Sequence, residues 1–137
     1  MHLRAEICSE TLLDEMAEFG AEDRVGLVSS MDHTPGQRQF RDLAQLRTYY
    51  TRKYALTMPE FDTLVAERTE LGNRVRERHE AGAVSQARRL GATLASHDDT
   101  LGEHVVRSHD LGIRLAEFPT TIEAAQACRD GGIQIIL

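Results

Sequence analysis

Three residues whose types suit divalent-metal chemistry recur at equivalent places in the chain: Glu6, His33 and His97. Each ends or closely follows a short strand-like stretch, HLRAE, VGLVSSM and ATLAS respectively. One carboxylate and two imidazoles are a common ligand set for zinc, manganese or iron, because neutral imidazole and carboxylate suit borderline and hard divalent ions. Taken singly, Glu6 reads equally well as a solvated strand residue, and each histidine as a capping or core residue. Their recurrence at one end of successive strands is what points to a shared site.

Carboxylates lie beside both histidines. Asp32 precedes His33, while Asp98 and Asp99 follow His97. A carboxylate next to a metal-bound imidazole fixes its tautomer or accepts a proton from a bound water, which makes Asp98 and Asp99 candidate catalytic groups. Capping of the helix that follows them accounts for the same two residues equally well. Thr34, Gly36, Gln37 and Arg38 form a loop with a hydroxyl, a flexible glycine and a guanidinium, a combination that suits a phosphate or carboxylate. On its own that loop also reads as an ordinary turn. His79, His104 and His109 fall within helical segments and read as solvated, and Tyr49, Tyr50 and Tyr54 read as helix packing rather than a stacking surface.

The elements that position these groups are legible in the periodicity. Leu3, Ala5 and Ile7 alternate with His2, Arg4 and Glu6, the pattern of a half-buried strand. Ser9 can cap a helix carrying Leu12, Leu13, Met16 and Ala17, which Gly20 would end. Val25 to Met31 is nearly all apolar or small, as a strand buried on both faces should be.

From about 39 to 90 the chain reads as a mostly helical insertion. One helix carries Phe40, Leu43, Ala44 and Leu46 and ends near Tyr54; a second starts at the capping box of Thr57 and Glu60 and ends at Arg88 and Arg89, with Gly82 a point of interruption. Strands near Ala92, Ile113 and Ile133 then alternate with helices that Thr100 with Glu103, and Thr120 with Glu123, would cap. Such alternation predicts parallel strands with helices packed outside. The fold class is therefore α/β, as an open sheet or as part of a barrel, and either places functional residues at the carboxyl ends of strands.

Composition narrows the function classes. The 137 residues suit a single domain, and a formal charge of -6 argues against a nucleic-acid or anionic-membrane surface. Cys8 and Cys128 stand far apart and offer neither a paired metal motif nor a disulfide framework, which points to a reducing cytoplasm. No apolar run approaches the roughly 20 residues of a bilayer span, and no signal-peptide layout opens the chain.

Together, HLRAE, VSSMDHTPGQRQFRDLAQLRTYY, LASHDDT and AEFPTTIEAA resemble the phosphonate-metabolism branch of the amidohydrolase superfamily, over essentially the whole chain. MDHTPGQRQF and SHDD carry most of the specificity. The resemblance implies a partial (β/α)8 TIM-type barrel formed by residues 1–137, beginning at about the fourth strand. It further implies a cytoplasmic hydrolase of phosphonate catabolism, in the carbon–phosphorus lyase pathway. There a divalent metal pair activates the water that attacks a phosphorus of a ribose 1-alkylphosphonate 5-triphosphate, and pyrophosphate leaves.

Carried over by position, Glu6 would bridge the metals, His33 and His97 would be imidazole ligands, and Thr34, Gly36, Gln37 and Arg38 would contact the triphosphate. The implied partners are a phosphorylated small molecule and further copies of the chain. Members of the branch carry additional metal ligands on a first barrel strand, and an aspartate on a last one, that this sequence lacks. Weak or absent activity of the isolated chain is therefore expected, and loss of the metal is an open outcome.

The competing expectation is a non-catalytic fragment that self-associates through open sheet edges. An open α/β binding module phosphorylated at Asp32 is a third class, weakened by the lack of a lysine on a later strand.

Overall fold

A computed structural model describes all 137 residues. Five strands and five helices follow one another as β1 (His2–Glu6), α1 (Leu12–Ala17), β2 (Leu27–Met31), α2 (Leu43–Tyr54), α3 (Met58–Arg89), β3 (Thr93–His97), α4 (Gly102–Asp110), β4 (Leu115–Glu117), α5 (Ile122–Asp130) and β5 (Gln134–Ile136). Every neighbouring pair of strands is parallel, and the sheet order is β1-β2-β3-β4-β5. The order never reverses, unlike that of a doubly wound sheet, and the sheet is open, with β1 and β5 at its edges.

Strand pleating separates two faces. Ala5, Ile7 and Val28 pack with Leu12 and Met16 of α1 and Ala83 and Ala87 of α3. Ala116 packs with Val105 of α4 and Ala124 and Cys128 of α5. The register then assigns Arg4, Ser29, Ala95 and Leu115 to the opposite face, with Glu6, Met31, His97 and Glu117 at its carboxyl end.

The insertion is two helices, and α3 runs unbroken through Gly82 for 32 residues, about 48 Å. Its capping box forms as the sequence predicts, with the Glu60 carboxylate accepting from the Thr57 N–H at 2.8 Å. Elsewhere the caps differ from expectation. Thr11 rather than Ser9 sits at the start of α1. α2 begins at Asp42, whose carboxylate accepts from Ala44 and Gln45 N–H, leaving Phe40 in a preceding 3-10 turn. At α4, His104 Nδ1 accepts from Thr100 N–H at 3.1 Å in place of the expected Glu103, and at α5 the capping hydroxyl belongs to Thr121. Glu123 instead accepts from Gly102 N–H at 2.8 Å, tying α5 to the start of α4.

His79 also departs from its solvated reading. It is fully buried in α3, with Nδ1 3.0 Å from the Ile7 carbonyl. That bond gives α3 a polar anchor on the segment after β1. Of the remaining histidines in helices, His104 is half-buried and His109 is exposed. No helix is long and apolar enough to cross a membrane.

Candidate metal centre

β1, β2 and β3 deliver Glu6, His33 and His97 to one end of the sheet, as the spacing predicts. His33 lies two residues beyond β2, so its imidazole reaches back over the strand ends. There the Glu6 carboxylate holds it twice: Oε2 lies 2.6 Å from Nδ1, and Oε1 accepts from the His33 backbone N–H at 3.2 Å. With the Nδ1 proton donated to Glu6, it is Nε2 that faces the interior of the cluster, and loss of its proton leaves a lone pair aimed there.

Asp98 completes that interior. It directly follows β3 and has φ +55°, a left-handed conformation that aspartate tolerates better than most residues. This turn swings its carboxylate between the two rings: Oδ2 lies 3.6 Å from His33 Nε2 and 3.0 Å from His97 Nδ1. The ring centroids are 5.9 Å apart. His33 Nε2, His97 Nδ1 and Asp98 Oδ2 are buried and have no hydrogen-bond partner, the last pair being close but poorly aligned. The same three residues bring potential ligand atoms within 4.8 Å of one another. Three buried polar atoms converging on one point without hydrogen-bond partners form a donor set that a cation would satisfy, offsetting the desolvation cost of each.

Electrostatics agree with the geometry. Asp98 and then Glu6 lift the His33 imidazole from 6.5 to about 9, against the opposing effect of burial. For Asp98, burial disfavours the charge, but the neighbouring His33 and His97 prevail and hold the carboxyl at about 2. The donor set of two imidazoles and a carboxylate fits a divalent transition ion. His97 carries one restriction. Arg4 Nη2 lies 3.3 Å from His97 Nε2. A guanidinium only donates, so Nε2 accepts and the ring proton is assigned to Nδ1, facing Asp98.

The other sequence candidates surround this centre. Asp99 is fully buried and accepts from the Ser96 hydroxyl and from Arg38, whose guanidinium also donates to the His97 carbonyl at 3.0 Å. Arg38 thus ties the loop after His33 to the end of β3. Neither aspartate caps α4, which begins after Leu101. Within the loop, Thr34 N–H and hydroxyl both donate to Asp32 Oδ1, Gly36 N–H donates to the Phe40 carbonyl and Gln37 N–H to the Thr34 carbonyl. All three amides already have partners.

Sequence reasoning passed over three contributors. Arg76 of α3 donates from Nε to Asp32 Oδ2 at 2.9 Å. Gly72 of α3 lies so close to Thr34 that a Cβ there would sit 2.5 Å from its hydroxyl oxygen. Phe40 packs edge-on against His33, with centroids 5.3 Å apart, and leads into the stack of Tyr49, Tyr50 and Tyr54. Only a glycine and an arginine four residues apart on one helix face hinted at the first two.

The chain is thus an α/β protein whose parallel strands carry a His-His-Asp cluster at their carboxyl ends, where such folds place functional groups. Over 139 aligned residues the chain is 41% identical to the alpha-D-ribose 1-methylphosphonate 5-triphosphate diphosphatase of Escherichia coli (strain K12), an alignment covering all of this chain and 36% of that protein. The chain is thus related to this diphosphatase along its whole length, and spans little more than a third of it. No protein-family model matches the chain, and no solved structure matches it.

Proposed function

We propose that the chain forms the metal-binding half-sheet of a barrel hydrolase of phosphonate catabolism, which releases pyrophosphate from a ribose 1-alkylphosphonate 5-triphosphate in the cytoplasm as a homo-oligomer. The coincidence of the three unsatisfied atoms of His33, His97 and Asp98 with one cluster carries this reading. The relative's name and its 41% identity support the substrate class.

His33, His97 and Asp98 would hold the ion, with Glu6 fixing the His33 tautomer rather than ligating directly. A divalent ion there would lower the pKa of a bound water toward about 7 and neutralise charge developing on phosphorus. Asp98 is the carboxylate that lies between the two rings, with Oδ2 3.6 Å from His33 Nε2 and 3.0 Å from His97 Nδ1. Asp99 and Arg38 keep the His33 loop against β3, and burial of the carboxyl end of β3 limits access of bulk water.

Elemental analysis after loading with manganese or zinc tests the reading. One ion per chain is expected, lost in both His33→Ala and His97→Ala. Pyrophosphate release from the ribose substrate is expected to be slow, because the remaining two thirds of the relative's length supplies groups absent from these residues. Failure to retain any ion at micromolar concentrations would refute the metal centre.

A further inference from the structure

Arg4 stands apart from the other arginines at the site. Arg38 and Arg76 are paired with the buried carboxylates of Asp99 and Asp32. Arg4 makes no ion pair: its guanidinium touches a thioether, with Nε 3.2 Å from Met31 Sδ, and an imidazole, at His97 Nε2. It projects from the helix-free face of β1 and is exposed. A guanidinium whose partners are a weak sulfur acceptor and one ring nitrogen retains donors in the fork geometry that matches phosphate oxygens.

Its contact with His97 also conflicts with metal binding. Coordination through His97 Nδ1 requires the ring proton to move to Nε2, which then becomes a donor facing a donor. Arg4 must let go, and its charge is then beside a divalent ion. Such an arrangement is electrostatically favourable only with an anion between or beside the two cations.

We propose that Arg4 is the anion-recognition residue of this site, released from His97 when the metal binds and then engaging a phosphoryl or phosphonyl oxygen of the ligand. This rests on the metal centre proposed above and names its second ligand-binding group, in place of Arg38. The consequence is ordered binding: metal first, anion second.

The test uses the whole chain with Mn2+ and inorganic phosphate, a weak enough chelator to leave the metal in place. Electron paramagnetic resonance reports bound Mn2+, and paramagnetic relaxation of the phosphate 31P signal reports an anion next to it. Wild type should bind phosphate at least tenfold more tightly with Mn2+ than without. Arg4→Gln should lose at least tenfold in phosphate affinity while binding Mn2+ no more weakly than wild type, and Arg4→Lys, which keeps the charge without the fork, should fall between. Mn2+ binding with unchanged phosphate relaxation in Arg4→Gln overturns the role of Arg4 and leaves the metal centre standing. Absence of Mn2+ binding in the wild type overturns both.

Discussion

The Glu6 carboxylate grips His33 at two points, its imidazole Nδ1 at 2.6 Å and its backbone N–H at 3.2 Å. One side chain at the end of β1 therefore sets both the tautomer and the loop position of a residue beyond the end of β2. Such a carboxylate–imidazole pair raises the basicity of the ring and aims its other nitrogen.

Glu6→Gln keeps the shape of the side chain but removes its charge. We expect it to weaken zinc or manganese affinity about 10- to 100-fold, as measured by competition with a chromophoric chelator. An affinity within twofold of wild type would mean that His33 is oriented by its loop alone.

The protonation of the cluster predicts opposite pH dependences for stability and for metal binding. His33 is raised from 6.5 to about 9, so its contribution to stability is complete below pH 6.5 and is lost as pH rises to about 9. Asp98 is lowered from 3.8 to about 2, so its contribution is present above pH 3.8 and is lost as pH falls toward 2. Without metal, thermal unfolding should thus have its highest midpoint between about pH 4 and 6.5, with a decline of a few degrees by pH 9. Metal affinity should rise over that same upper range, because the ion displaces the His33 proton. A melting temperature flat from pH 6 to 9 would contradict the ion pair.

Much of this arrangement is visible in the sequence, and what is not has a physical reason. Alternation placed β1, and the apolar or small run of residues 25–31 placed β2, because strand pleating and two-sided burial leave direct marks on residue order. The capping box at Thr57 and Glu60 is equally local. The caps of α4 and α5 misled because His104 and Thr121 compete for the same backbone donors, a choice decided by tertiary packing. Glu6, His33 and His97 share one end of the sheet as their positions after strands required, whereas the burial of His79 depends on which face of a 32-residue helix meets the Ile7 carbonyl. The position of the Asp98 carboxylate between the two rings turns on its left-handed backbone, which no residue pattern records.

The insertion helix should prove part of the site through Arg76. Arg76→Gln leaves the mostly buried Asp32 without its charged partner and is expected to cost about 1–3 kcal/mol. Asp32→Asn in the same chain should recover part of that loss, because a neutral amide no longer requires a cation. A double-mutant cycle by urea unfolding measures the coupling, and additive effects would show that the two side chains act independently.

Gly72 sets how closely α3 approaches the His33 loop. A methyl group there would lie 2.5 Å from Thr34 Oγ1 and 2.6 Å from its Cγ2, and Thr34 has no room to yield because its hydroxyl and N–H are both bound to Asp32. Alanine is the better helix former by about 1 kcal/mol, so an exposed position would gain from this change. Here overpacking, typically about 1–3 kcal/mol, should prevail, and Gly72→Ala should lower stability. The displaced Thr34 adjoins His33, so metal affinity should fall together with the unfolding midpoint. A Gly72→Ala chain that is more stable than wild type, with metal affinity unchanged, would show that the helix slides without cost and that its close approach has no part in holding His33.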